Sequence, residues 1–163
     1  LTSHRQENVD NNIKLKSIIE LLNDITLIKK IPIIWPIHPR SKIRIKKMKL
    51  KLNKNIKLIS PINFFDFSYL EINCYCIITD SGTVQEEGSI LKKPNLIIRD
   101  TTERPETIEA GSSILIGSLK KNIKKQIKIA TELSGSEEDV REYITPNVSR
   151  KIIKILFSKY DFD

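Results

Sequence analysis

The residues whose types and spacing point most directly to chemistry are Thr79-Asp80-Ser81-Gly82-Thr83-Val84-Gln85-Glu86-Glu87. An apolar run, Tyr75 to Thr79, leads into this stretch, and a helical pattern, Val84 to Leu91, leads out of it. Gly82 lets backbone approach a ligand closely, Ser81 and Thr83 bring hydroxyls, and the free N–H groups of a helix start favour an anion such as phosphate. Glu87, one turn further in, is placed to accept from the paired hydroxyls of a ribose. The same residues also fit a local role, with Asp80-Ser81 capping the helix and Glu86-Glu87 balancing its dipole. A second cluster, Arg99-Asp100-Thr101-Thr102-Glu103-Arg104-Pro105-Glu106, again follows an apolar run. Arg104 there has the chemistry to clamp a phosphate or carboxylate, while Thr102, Glu103 and Pro105 open the next helix. A surface knot of salt bridges is the alternative reading. His4-Arg5 and His38-Pro39-Arg40 complete the set, each a histidine close to an arginine. A lone histidine is usually structural, but one beside Arg in a strand-end loop suits a ligand site.

The elements that must position these residues alternate in kind. Ile13 to Leu22 carries a helical apolar stripe after an Asn/Asp-rich stretch able to cap it. Ile31 to Trp35, ended by Pro36, is a short β-branched run of the form a buried parallel strand takes. The same logic predicts helices over 40–51, 64–71, 84–91, 105–109, 119–133 and 147–157, with Ser134-Gly135-Ser136 as a break. It predicts strands over 56–59, 75–79, 95–98 and 113–116. Short apolar strands separated by helices are successive βαβ units, so the expected fold is α/β, a doubly wound parallel sheet over residues 1–163. Ligands of such sheets bind beyond the carboxyl ends of the strands, where all four clusters fall.

Composition narrows the classes further. The chain has 163 residues, 39% of them hydrophobic and 29% charged, which is ordinary globular usage. Lys and Arg number 28 against 20 Asp and Glu, a formal net charge of +8. That charge would suggest nucleic acid if it were clustered among aromatic stacking platforms. Instead it comes in short lysine–isoleucine alternations (42–47, 120–125), and aromatics make up 6% of residues, so nucleic acid is not the expected partner. No apolar run approaches the ~20 residues of a spanning helix, and the N-terminus lacks an apolar signal core. Cys74 and Cys76 fit neither a bridge nor a C-x-x-C motif and read as buried thiols in a reducing cytoplasm. Neither a metal nor a cofactor is expected.

Three linked motifs carry a resemblance. Leu1-Thr2-Ser3-His4-Arg5-Gln6-Glu7-Asn8, Asp80-Ser81-Gly82-Thr83-Val84-Gln85-Glu86-Glu87-Gly88 and Arg99 to Glu106, in this order and spacing, resemble the non-hydrolysing UDP-N-acetylglucosamine 2-epimerase family. The similarity continues through Gly111 and Gly117 to the closing helix. It implies a glycosyltransferase-B-type architecture of two Rossmann-like domains, of which this chain resembles the C-terminal, nucleotide-holding one. By motif position, Phe67 would lie against uracil, Ser81 and Gly82 would bind the diphosphate, and Glu87 would take the ribose hydroxyls. His4 would sit near the diphosphate and the reacting sugar in a catalytic role, with Arg5 and Arg104 facing the same region. His38 would contact a second, regulatory UDP-sugar. Many bacterial members have His-x-Asn-Pro where this chain has His38-Pro39-Arg40, a departure that bears on allosteric control.

The chemistry implied by the resemblance is inversion at C2 of the sugar by elimination of UDP and re-addition. The acid/base carboxylates of that reaction belong to the family's N-terminal domain, which this chain lacks, so the chain alone is expected to bind a UDP-sugar without turning it over. That His4-Arg5 follows only Leu1-Thr2-Ser3 also reads as a fragment. The resemblance further implies a possible homodimer. Relatives acting on diacetamido-uronic acid or deoxy-sugar nucleotides stay open as the substrate branch, as does a non-catalytic UDP-sugar-binding module.

Overall fold

The computed structural model describes residues 1–117, 123–133 and 138–159. Helix α1 (Gln6–Val9) runs into α2 (Asn12–Lys29), and the chain then alternates β1 (Ile33–Pro36), α3 (Pro39–Lys47), β2 (Ile56–Ile59), α4 (Phe64–Asn73), β3 (Ile77–Thr79), α5 (Gly82–Ile90), β4 (Asn95–Ile97), α6 (Pro105–Glu109) and β5 (Ser113–Leu115). Three helices close the described chain: α7 (Ile123–Glu132), α8 (Arg141–Ile144) and α9 (Val148–Lys159). Strand β1 pairs with β2, and β3, β4 and β5 pair in that order, all parallel. Parallel neighbours need crossover connections, and the intervening helices supply them.

Leu1 and Thr2 join the two sheet segments. The Leu1 ammonium donates to Ile34 O (2.8 Å), Thr2 N donates to Ile78 O (2.9 Å), and Asp80 N donates to Thr2 O (3.3 Å). The strand order is therefore β2, β1, residues 1–2, β3, β4, β5. The chain builds outward to one side of residues 1–2 and then returns to build outward on the other. That reversal is a topological switch point, where a crevice opens beyond the strand ends.

Consecutive residues of β3 and β4 are buried, Ile77 to Thr79 and Asn95 to Ile97, so both faces of this part of the sheet are covered. One face packs on α2 and α7, where Leu15, Ile18, Leu22, Trp35, Leu96, Ile98 and Ile127 form a continuous core. The other packs on α5 so closely that a Cβ at Gly88 would come 2.7 Å from Asn95 Nδ2 and 3.1 Å from Ile77 Cδ1.

Sequence expectations and structure agree on the type and order of the long elements and differ at their ends. Helix α2 continues past Leu22 because Ile25 and Thr26 keep the stripe buried; it stops where Lys30 turns left-handed (φ 56°). Asn11 caps its start by accepting from Ile13 N and Lys14 N. Helix α3 ends at Lys47, not 51, with Lys49 left-handed just beyond (φ 52°). Strand β3 begins at Ile77, since Tyr75 is exposed. Cys74 and Cys76 are free thiols, half-buried rather than buried. The expected start of the 119–133 helix and the whole of the break at 134–136 lie outside the described residues.

Candidate functional site at the switch point

Asp80, the first residue beyond β3, is completely buried and organises the neighbouring loop. Its carboxylate accepts from Ser3 Oγ (3.0 Å), His4 N (3.1 Å), Arg5 N (3.1 Å) and Asn8 Nδ2 (3.1 Å). Asn8, also fully buried, donates in addition to Ile98 O (3.0 Å), which ties the same loop to the end of β4. The turn carrying His4 and Arg5 is thus held by backbone bonds to one carboxylate, leaving both side chains to face outward. The His4 ring is more than half exposed, with Nδ1 3.5 Å from Asp80 Oδ1. Arg5 Nε donates to Asp80 O (3.3 Å). The capping role open to Asp80-Ser81 on sequence grounds is not what the structure shows, because Ser81 stands at the N-cap of α5 without a side-chain capping bond and Asp80 is engaged elsewhere.

Helix α5 starts directly after this knot. Its first intrahelical bond is from Gln85 N to Ser81 O (3.1 Å), so the N–H groups of Gly82, Thr83 and Val84 have no acceptor within the helix. These groups and the helix dipole make the point attractive to an anion. Arg104 lies over it: a Cβ at Gly82 would meet Arg104 Cζ and Nη2 at 3.8 Å. Glu86 pairs with Arg104 Nε and holds its pKa above the usual arginine value. Gln85, buried, fixes the loop that carries Arg104. Its side-chain amide donates to Thr107 Oγ1 and Arg104 O, while its Oε1 accepts from Thr102 Oγ1 (2.7 Å).

Arg99 at the end of β4 is buried and spanned by two carboxylates. It donates to Glu7 (3.0 Å) and, through both terminal nitrogens, to Glu103. The bidentate bond from Arg99 pulls the Glu103 pKa down to about 2. Arg5 Nη2 approaches Glu103 as well (3.9 Å). The charged stretch 99–106 is therefore divided: Arg99 and Glu103 form a structural bridge between α1 and the loop, and Arg104 is the cation presented at α5.

Phe67, on the half-buried side of α4, lines a groove of about 350 Å³ together with Leu70, Glu71 and Val84. Its walls are apolar and do not include His4, Ser81, Gly82 or Arg104, so the groove suits a flat apolar group and not a diphosphate. Glu71, at 5% exposure, places its carboxyl against that of Glu87 from α5. Burial, then the charge of Glu87 and the hydrogen bond between the two groups, raises the Glu71 pKa to about 7. Glu87 is also raised, chiefly by desolvation.

The structure thus brings His4, Arg5, Ser81, Gly82 and Arg104 to one end of the sheet, with Glu87 one turn along α5 and Phe67 on the helix that supplies Glu71. His38 is apart from them. It is exposed at the end of β1 and caps α3, its Nδ1 accepting from Arg40 N (3.2 Å). Among the described residues, no group of three His, Cys, Asp or Glu is arranged to hold a metal ion. No described helix is long and apolar enough to cross a membrane. Sequence reasoning missed Asn8, Gln85, Arg99 and Glu71. Only Glu71 had left a local signal, as a carboxylate at the i+4 position of the apolar Phe67–Leu70 stripe.

A doubly wound α/β chain with a basic, anion-favouring helix start at its switch point is a nucleotide-binding type of fold. The family model for UDP-N-acetylglucosamine 2-epimerase matches residues 1–157, and the chain belongs to that family. It is 50% identical over 133 residues to the UDP-N-acetylglucosamine 2-epimerase of Methanocaldococcus jannaschii, covering 79% of this chain and 36% of that protein. To the enzyme of the same description from Campylobacter jejuni it is 38% identical over 162 residues, covering 96% of this chain and 42% of the relative. The crystal structure of the M. jannaschii enzyme in complex with UDP-GlcNAc and UDP superimposes with a TM-score of 0.80 at 42% identity, over 96% of this chain and 44% of that one. The chain spans less than half the length of the relatives it matches.

Proposed function

We propose that residues 1–163 are the nucleotide-sugar-binding domain of a two-domain UDP-N-acetylglucosamine 2-epimerase, interconverting UDP-N-acetylglucosamine and its C2 epimer in the cytoplasm. One observation carries this reading: the uncapped start of α5, Arg104 and the His4-Arg5 turn converge at the switch point of a chain belonging to this family. The diphosphate sits on the N–H groups of α5, with Ser81 and Gly82 beneath it and Arg104 and Arg5 neutralising it. Uracil rests against Phe67, and Glu87 takes the ribose hydroxyls. When the bond from C1 to the UDP oxygen breaks, negative charge grows on the diphosphate, where helix N–H groups, Arg104 and His4 stabilise it. Proton removal and return at C2 need positioned acid/base groups, which this reading assigns to the first domain of the whole protein. Pairing of two whole proteins into a homodimer belongs to the same reading.

The test is turnover with and without a first domain. Residues 1–163 alone should leave UDP-N-acetylglucosamine unchanged by proton NMR of the anomeric signals, and an epimerase first domain supplied in trans or fused upstream should restore conversion. In the restored enzyme His4→Ala should lower kcat more than it weakens UDP binding, since its work is done at the developing charge. Epimerisation by residues 1–163 alone would overturn the division of labour.

A further inference from the structure

Glu71 is a nearly buried carboxyl for which the reading above has no use. No protein donor reaches its Oε1, and the group it faces is another carboxyl, that of Glu87. Two adjacent carboxyls in a desolvated place hold one proton between them, because both cannot ionise together. Here the proton belongs on Glu71, because it is the more deeply buried of the two, 5% exposed against a half-buried Glu87, and desolvation penalises its charged form more. We propose that Glu71 is a positioning residue, donating a hydrogen bond to the Glu87 carboxylate and so fixing that group to accept from the vicinal hydroxyls of a bound nucleotide's ribose. The inference rests on the nucleotide reading of the α5 site.

The pair gives the site a pH dependence. The other titratable or charged groups around it are Glu86 on α5, Cys74 and Cys76 after α4, the Leu1 ammonium beside β1 and Lys93 before β4. Burial sets the Leu1 amine to about 6 and raises both thiols. Two of these groups change charge in this range, the Leu1 amine losing its charge near about 6 and Glu71 gaining one as pH rises through about 7, and only the second is removed by substitution of Glu71. Above that pH two carboxylates face each other, Glu87 loses its donor, and ribose binding weakens. The sign for stability is the same. A carboxyl raised by folding stabilises the fold fully below its unfolded pKa, and that contribution is lost as pH rises through about 7.

The experiment is calorimetric titration of UDP-N-acetylglucosamine into residues 1–163 and their Glu71→Gln variant from pH 5.5 to 8.5, with carbon-13 NMR titration of the glutamate carboxyls in the unliganded wild type. The sugar nucleotide is the probe because the terminal phosphate of UDP loses a proton of its own near pH ~6. Gln keeps the donor and the volume but cannot ionise. Wild-type affinity should fall about tenfold between pH 6 and 8.5, equivalent to one unit of differential protonation, and the variant should change less than about twofold. The Glu71 carboxyl should titrate near neutrality. Binding with parallel pH profiles, or a Glu71 carboxyl titrating at the ordinary carboxylate pH, would overturn the role of Glu71 alone. A neutral titration with no nucleotide binding at any pH would overturn the nucleotide reading and, with it, the role proposed for Glu71.

Discussion

Asp80 lies just before α5 and Glu87 of the Glu71–Glu87 pair lies within it, and the two places use buried carboxyls in opposite ways. Asp80 has donors from a hydroxyl, two backbone amides and a side-chain amide, all from within residues 3–8. A buried carboxylate so fully matched is scaffolding: it fixes the turn that presents His4 and Arg5 and has no capacity left for a ligand. In the Glu71–Glu87 pair, the buried Glu71 Oε1 has no donor, and Glu71 lines a groove. What separates the two places is hydrogen-bond supply. The saturated carboxylate holds the site's shape, and the undersupplied pair is the one that a diol can complete.

Breaking the saturated side should give the largest effect. Asp80→Ala strands the amides of His4 and Arg5 and one bond of the Asn8 side chain, and at about 1–3 kcal/mol for each buried donor left unpaired the loss comes to about 3–5 kcal/mol. Thermal unfolding should show a loss of about 6–20 °C for a chain of this size. A loss under 2 °C would mean that the turn holds itself. Gly88→Ala should come next. Its Cβ would fall 2.7 Å from the buried Asn95 amide nitrogen, which is itself anchored by donation to Gln85 O (3.2 Å). Overpacking of that kind costs about 1–3 kcal/mol, with UDP affinity of the folded molecule unchanged. Denaturant unfolding followed by UDP titration checks both halves. The smallest and most selective effect should come from the undersupplied side. Glu87→Gln should weaken UDP more than dUDP, because one acceptor of the ribose pair is lost, and the ratio of the two losses is the readout. Equal losses would return Glu87 to the helix-dipole role that fits the same residue on sequence grounds.

The sheet and its long helices were legible because apolar runs of three to five residues set the strands and 3.6-residue stripes set the helices, both local signals. The strand-end loops were legible for the same reason, since each follows such a run. Helices α1 and α8, of four residues each, are too short to show any period. Asp80 was placed at the strand end, and of the roles open to it the helix cap is not the one the structure realises. A cap bonds to its own helix, whereas Asp80 bonds to residues more than 70 positions earlier, which no local pattern encodes. Arg99 and Gln85 were obscured in the same way, their partners being set by the approach of α1 and of the 102–107 loop. His38 has a local partner that the motif did not specify, its Nδ1 accepting from Arg40 N at the start of α3.

The account turns on the start of α5, and one substitution tests it with the fold intact. Gly82→Val adds a Cβ that would meet the Arg104 guanidinium only at ordinary contact distance, 3.8 Å, so the protein should fold as before. The added side chain nonetheless occupies the space a diphosphate needs over the N–H groups, and loss of one hydrogen bond to a charged group costs about 1–3 kcal/mol. Isothermal calorimetry of UDP against the wild type and Gly82→Val, with circular dichroism on both, should give saturable binding by the first and binding weaker by about 5- to 150-fold by the second. Equal UDP affinity for two equally folded proteins would place the nucleotide somewhere other than the start of α5 and contradict the account.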